Sequence, residues 1–296
     1  MKHPDKIILV LGNTGQVGIY VQKLLTELKG YQILFWDRSN FDFLKQDSIL
    51  KIIKVKPHII INTVAYTQVD LAETEIEKAH FINGYMVGEI AKCAQACLAM
   101  FIHISTDYVF DGSSQIPYTE NVPTAPLNIY GISKLEGEML ALKYNPESII
   151  IRTSWVYSPF NKNFLLTMLF QFTVRKELRI INDQLGCPTF AKHIAEAIIT
   201  IAQDKRPLKK ISGIYHFQNS GGPVSWYDFA KKIKDLSKAT PQLIPITTAQ
   251  YNSPTPRPLY SVLNCTKIGN TFPNIKSIQW EDALVECFAE LEPSID

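Results

Sequence analysis

The sequence lacks most of the features that would take it out of the class of ordinary globular enzymes. No apolar run approaches the roughly 20 residues that a membrane-crossing helix needs, so no membrane partner is expected. Neither sign of charge is in excess: 30 basic and 28 acidic residues leave a formal net charge of +2. That balance argues against a nucleic-acid partner. There are five cysteines, an odd number, and no C-x-x-C pair, which excludes a disulfide framework and suggests a reducing, cytoplasmic setting. The six histidines are scattered. Metal-ligand spacing is absent, so no metal site is expected. Repeats and low-complexity stretches are missing too. Lys6 precedes the apolar Ile7 to Val10, but Gly12 soon breaks that run and no small-residue cleavage site follows. It reads as a strand rather than a signal peptide.

What the chain does have is a regular alternation of short apolar runs with helical periods. Its 296 residues are 46% hydrophobic and 20% charged, enough for one large domain or two modest ones. Ile7 to Leu11 is β-rich and leads into Gly12-Asn13-Thr14-Gly15-Gln16-Val17-Gly18. Val17, Tyr20, Val21, Leu24, Leu25 and Leu28 then recur at helical spacing. Strand, glycine turn and helix in that order form a dinucleotide site: the glycines let backbone approach a pyrophosphate, and the helix start offers free N–H groups. Gly12, Gly15, Gln16, Val17 and Gly18 are therefore candidate cofactor contacts. Tyr31 to Trp36 reads as a second strand ending at Asp37-Arg38. The aspartate suits the ribose hydroxyls of NAD and the arginine suits the 2′-phosphate of NADP, so the cofactor is NADPH or NADH. Asp42 either reaches the adenine or holds a turn.

Further strands are expected at His58 to Thr63, Phe101 to Ser105, Ser148 to Arg152 and Gly213 to Phe217. Helices are expected at Ser48 to Val55, over a long Glu73 to Leu98 segment, and at Asn128 to Lys143, Phe164 to Arg175, Ser225 to Leu236 and from about Glu281. Another precedes Ala202. Pro241 to Pro258 reads as a proline-rich tail. Strands alternating with helices predict an α/β fold, a doubly wound parallel sheet of Rossmann type with a smaller C-terminal substrate-binding lobe. Residues 1–152 would form the dinucleotide-binding domain, completed by part of 189–217, and 153–296 mainly the substrate lobe. Right-handed crossovers bring all the strand ends to one edge, where ligands bind. Gly15, Ala65, Ser105 and Thr106 lie at such ends. Asn83, inside the long helical segment, either lines the site or faces solvent.

The candidate chemistry sits in Ser105-Thr106-Asp107-Tyr108 and Tyr130-Gly131-Ile132-Ser133-Lys134. Tyr130 and Lys134 share a helix face one turn apart. A phenol alone is a poor acid near neutrality, with a reference pKa of about 10, and a neighbouring ammonium is expected to lower it. Thr106 would supply a second donor to the same carbonyl oxygen. Tyr227 and Lys231 repeat the spacing without a preceding strand end or glycine turn, and read as an exposed lysine beside a half-buried tyrosine.

These segments resemble the extended short-chain dehydrogenase/reductase superfamily, and within it the dTDP-4-dehydrorhamnose reductase family. The resemblance is carried by Gly12-x-x-Gly15-x-x-Gly18, Asn62-x-x-Ala65-Tyr66-Thr67, Ser105 to Gly112, Tyr130-Gly131-x-Ser133-Lys134, Arg152 to Tyr157, Asn163-Phe164, Asp183-Gln184-x-Gly186-x-Pro188-Thr189 and Arg257-Pro258-x-x-Ser261. It implies NAD(P)H-dependent reduction of the 4-keto group of a 6-deoxy sugar linked to a nucleoside diphosphate. Thr106, Tyr130 and Lys134 would be the catalytic set. Ala65 and Tyr66 would lie along the cofactor, and Ser105, Tyr108, Trp155, Asn163 and Arg257 along the substrate, with Arg257 on the diphosphate. Related dehydratases carry Thr-Asp-Glu where this chain has Thr106-Asp107-Tyr108, so the extra acid/base of an elimination is missing. Another sugar-nucleotide reductase or an epimerase of the same fold, and a non-catalytic subunit like the regulatory subunit of methionine adenosyltransferase, are the alternatives. The sequence encodes no oligomeric state; a homodimer is the working expectation.

Overall fold

The computed structural model describes residues 6–291. Its centre is a six-stranded, wholly parallel sheet. Strands β1 (Lys6–Leu11), β2 (Tyr31–Trp36), β3 (Ile59–Asn62), β4 (Met100–Thr106) and β5 (Ile149–Thr153) are joined by an edge strand, Gly213–His216. From that edge strand the order runs through β5, β4, β3 and β1 to β2. The strands read as continuous isoleucine and valine because both faces are covered. On one face Ile8, Val10, Ile61, Ile102 and Ile151 pack with the helices Gln16–Leu25 and Ala191–Ala202. On the other, Leu9, Ile60, Phe101 and Ile150 meet Ile52, Met86, Ile90, Ala94 and Ala141.

The strand and helix expectations hold over the sheet to within a residue or two at most ends. Two do not. The long Glu73 to Leu98 segment is interrupted: helix Ile76–His80 passes through a single π turn, Phe81–Tyr85, into helix Met86–Cys97. The extra residue of the π turn carries Asn83 inward, where it is fully buried. The proline-rich tail contains a strand, Gln242–Ile246, which pairs in parallel with an unexpected strand, Glu177–Ile181. Pro245 is tolerated there because this two-stranded ribbon is all edge.

All strand C-terminal ends meet at one edge. In register, Leu11 lies beside Asn62, Asn62 beside His103 and Thr106 beside Thr153. The glycine turn, the Thr63–Tyr66 loop and the Thr106–Tyr108 turn leave the sheet at that edge.

Candidate active site

The glycine turn is shaped for close approach. Gly12 has φ +88°. A Cβ on Gly18 would lie 2.0 Å from the carbonyl oxygen of Gly12. Gly15 caps the helix without a side-chain hydrogen bond, so the first N–H groups of Gln16–Leu25 have no side-chain acceptor and can take an anionic phosphate. Past β2, Asp37 accepts from the amide and hydroxyl of Ser39 at 2.8 and 2.6 Å, and these bonds hold its carboxyl below the ordinary range. Arg38 is exposed and has no carboxylate within salt-bridge distance among the described residues. Asp42 accepts from the amide of Leu44 at 2.9 Å, which is the turn reading. The turn thus fits a dinucleotide, with Asp37 and Arg38 where its adenosine end would lie.

Three buried amides hold the rest of the site. Asn83 accepts from the backbone of Tyr66 at 2.8 Å, donates back to Tyr66 O at 3.0 Å and donates to Ser133 Oγ at 3.0 Å. It thereby ties the loop after β3 to the helix Ile129–Tyr144. Tyr66 itself donates its hydroxyl to Glu75 at 2.9 Å. Ala65 stays partly open. Asn128 caps that helix, accepting from Gly131 N at 2.8 Å and donating to Pro256 O at 2.9 Å. Asn62 pairs with His103, 3.1 Å away. Nothing in the sequence marks the Asn128 and His103 contacts, since each partner comes from a distant segment.

Tyr130 and Lys134 lie on the first turns of this helix. Tyr130 is half-buried, edge-on to Tyr108 with ring centroids 5.6 Å apart. Burial pushes its phenol up to about 12; the Thr106 hydroxyl beside it pulls the other way. This reverses the expected lowering by Lys134. The reason is that Lys134 is itself buried and turned to Ile104 O at 2.6 Å and His103 Nε2 at 3.2 Å. Burial brings the amine down to about 8, against the pull of Glu138. Thr106 donates to Asp107 Oδ1 at 3.1 Å. Burial pushes Asp107 up to about 7. Ser105 Oγ, Asp107 Oδ2, Thr153 Oγ1 and Thr255 Oγ1 are buried without a partner. Native proteins seldom leave such groups unpaired away from a functional site.

The second half supplies the outer wall. Trp155, at φ +46°, stacks flat on Trp226 with 3.5 Å between centroids and 4° between planes. Gly186 leaves room for that ring, since a Cβ there would fall 2.4 Å from Trp155 Cε2. Trp226 was not singled out from the sequence. Arg257 pairs with Asp70 at 2.7 Å and donates to Ser253; it also pulls down the Tyr108 phenol, which burial raises. Asn163, expected beside the sugar, is engaged within its own loop and with the glycine turn. Its Oδ1 caps the helix Phe164–Val174 through Leu166 N at 3.1 Å, while its Nδ2 donates to Gln16 Oε1 at 3.0 Å and Ser158 O at 2.8 Å. Gln16 is accordingly turned to that loop, also accepting from Ser158 Oγ at 2.8 Å. Tyr227 packs against the second-half core and Lys231 is exposed. No group of three or more metal-ligating side chains occurs among the described residues.

A family model described as the RmlD substrate binding domain matches residues 6–292. The dTDP-4-dehydrorhamnose reductase of Aggregatibacter actinomycetemcomitans is 40% identical, over 96% of this chain and 99% of its own. The chain belongs to the dTDP-4-dehydrorhamnose reductase family. Another relative, the spore coat polysaccharide biosynthesis protein SpsK of Bacillus subtilis, is 38% identical over 98% of this chain and 99% of its own. Among solved structures, the family member from Bacillus anthracis, in complex with NADP, superposes with a TM-score of 0.90 at 31% identity. That match covers 97% of this chain and 100% of the other. Membership places the chain among NAD(P)H-dependent oxidoreductases of Rossmann type. No helix of the described residues is long and apolar enough to cross a membrane.

Proposed function

We propose that this chain reduces the 4-keto group of dTDP-4-dehydrorhamnose to give dTDP-rhamnose, with Thr106, Tyr130 and Lys134 as its catalytic residues. The observation that carries the reading is the meeting of Thr106 and Tyr130 beside buried, unpartnered hydroxyls at the sheet edge where the glycine turn also emerges. The nicotinamide cofactor supplies the hydride. Tyr130, a phenol held above its ordinary range, gives its proton to the sugar oxygen. Thr106 orients that oxygen. Lys134 holds the tyrosine end of the site. Ser105, Tyr108, Trp155 and Arg257 line the substrate side, with the guanidinium suited to a diphosphate. Residues 6–152 with the edge strand would carry the cofactor, and the second half the sugar nucleotide. Five unpaired cysteines suit a reducing cytoplasm.

The test follows NADH and NADPH oxidation by absorbance with dTDP-4-keto-6-deoxy sugar. Tyr130→Phe should lose about 10²–10⁴-fold in kcat, the usual worth of a positioned acid, and still bind cofactor. Tyr227→Phe should keep full turnover. No turnover by the unaltered protein with dTDP- or GDP-linked keto sugars, despite cofactor binding, would overturn the reading in favour of a binding subunit.

A further inference from the structure

Trp155 holds a backbone conformation that a bulky residue seldom adopts, and three segments close on it. Its φ of +46° falls in the left-handed region, where a large side chain is strained. Before it, Ser154 Oγ donates to Cys187 O at 3.0 Å. After it, the backbone N–H of Thr189 donates to Trp155 O at 3.2 Å. These bonds clamp the turn, and the ring is then directed onto Trp226. Strand Leu185–Gly186 pairs antiparallel with Val224–Ser225, Gly186 opposite Val224. One ladder therefore brings up both the glycine that leaves room for the indole and the start of the helix Trp226–Leu236.

Trp226 is itself held. Ser225 and Asp228 cap its helix with reciprocal bonds, each accepting the other's backbone N–H at 3.0 Å. Phe164 packs against the ring with 4.6 Å between centroids. The indole N–H donates to Gln184 Oε1 at 3.2 Å. An indole N–H cannot accept, so the Gln184 amide has one orientation. Its Nε2 is left to donate to Thr248 Oγ1 at 3.2 Å, and that hydroxyl donates to Asp183 Oδ1 at 2.6 Å. Gln184 is 3% exposed, so water does not compete for these bonds. Both indoles, by contrast, stay partly exposed.

We infer that Trp226 is a positioning residue: locked by Gln184, it holds the Trp155 indole in its strained turn as a wall of the sugar-nucleotide pocket before any ligand arrives. This role rests on the function proposed above, in which Trp155 lines the substrate. Trp155 lies two residues beyond β5, whose last residue, Thr153, pairs with Thr106 and keeps a buried, unpartnered hydroxyl. Backbone strain of this kind persists where the surroundings enforce it, and it clusters at ligand sites. A wall set in advance spares the ligand the cost of ordering it.

The test joins nuclear magnetic resonance of the tryptophan rings to kinetics, both on the full chain. Four tryptophans are present, and their signals are assigned with Trp155→Phe and Trp226→Phe. In the cofactor-free protein the ring protons of Trp155 and Trp226 should each be shifted upfield by the other ring. Trp226→Ala should return the Trp155 signals to ordinary positions. It should raise the KM for the dTDP-linked keto sugar about 3- to 10-fold, the worth of one stacked pair, with kcat and the cofactor KM within about 2-fold. Trp226→Phe, which keeps a ring, should recover most of the loss. Gln184→Leu should raise the same KM by less. A purely structural role would lower the unfolding temperature and move the sugar and cofactor KM values alike. Unshifted Trp155 signals in the unaltered protein would overturn the proposal even if no variant folded. So would an unchanged sugar KM in Trp226→Ala once Trp155 is displaced. In a protein that turns over no keto sugar, the same ratio is read from dissociation constants for dTDP-rhamnose, so failure here is distinct from failure of the reductase reading.

Discussion

Asp107 is a buried carboxyl whose ionisation costs stability. It is 2% exposed, one oxygen accepts from Thr106, and the other has no partner. Burial raises its pKa to about 7, against about 3.9 for an aspartate in the unfolded chain. The folded protein therefore binds this proton more tightly than the unfolded one. Raising the pH from about 4 to about 7 removes stability, and above that the whole cost is present. A gap of about three pKa units bounds the cost at about 4 kcal/mol. Asp107→Asn should melt higher than the unaltered protein at about pH 8, with the gain fading by about pH 4; a gain that is flat with pH would show that the carboxylate is not its source. None of this can be read in the string Ser-Thr-Asp-Tyr. The placement of Thr106 at a strand end and of Tyr130 and Lys134 on one following helix is legible, because the apolar run and the glycine turn before them supply the context that Tyr227 and Lys231 lack. Asn83 stays open between site and solvent, and the Asn62–His103 contact is not legible at all, because a polar residue in an apolar run gains its meaning from partners on other elements.

The helix Ile129–Tyr144 is the element that sets the active-site geometry, and its docking depends on a missing side chain. A Cβ on Gly137 would fall 2.0 Å from the carbonyl oxygen of Asn83, inside the π turn. The helix can come that close only with glycine there. Gly137→Ala should force the two segments apart and cost about 1–3 kcal/mol as overpacking does. It should also lower kcat, because the Asn83–Ser133 bond that fixes the first turns would lengthen. Thermal unfolding and turnover measured together check it: lost stability with unchanged kcat would mean the helix tilts without moving Tyr130. The helix itself was plain from its period and its Asn128 start. The π turn was not, since one inserted residue hardly disturbs a 3.6-residue pattern.

At the scale of the whole molecule, the last third of the chain threads between the two halves. Tyr118 donates its backbone N–H to Val262 O at 2.8 Å, and Asn264 donates to Tyr118 O at 2.7 Å. On the other side Leu185 N donates to Leu259 O at 2.7 Å, and Ser261 N to Leu185 O at 2.8 Å. Asn128 binds Pro256 O, and Arg257 then reaches Asp70. A sequence reading sees only prolines and one arginine here, because these contacts join segments far apart in the chain. The Arg257–Asp70 pair is the outer end of this seam; the aspartate is 56% exposed and the arginine 19%. An exposed pair of this kind is worth about 0–1 kcal/mol, so its purpose is not stability. It holds the guanidinium near Tyr108, and on the proposed reading it adds a negative charge where a diphosphate would come. Asp70→Asn should therefore leave the unfolding temperature nearly unchanged and lower the KM for the nucleotide sugar by about 2- to 5-fold at low salt. The gain should vanish at about 1 M salt, where charges are screened within about 3 Å. Arg257→Ala should raise the same KM by about 10- to 100-fold, the worth of a charge-assisted hydrogen bond. If Asp70→Asn instead raised the KM as much as Arg257→Ala does, the aspartate would be orienting the guanidinium for the ligand rather than competing with it.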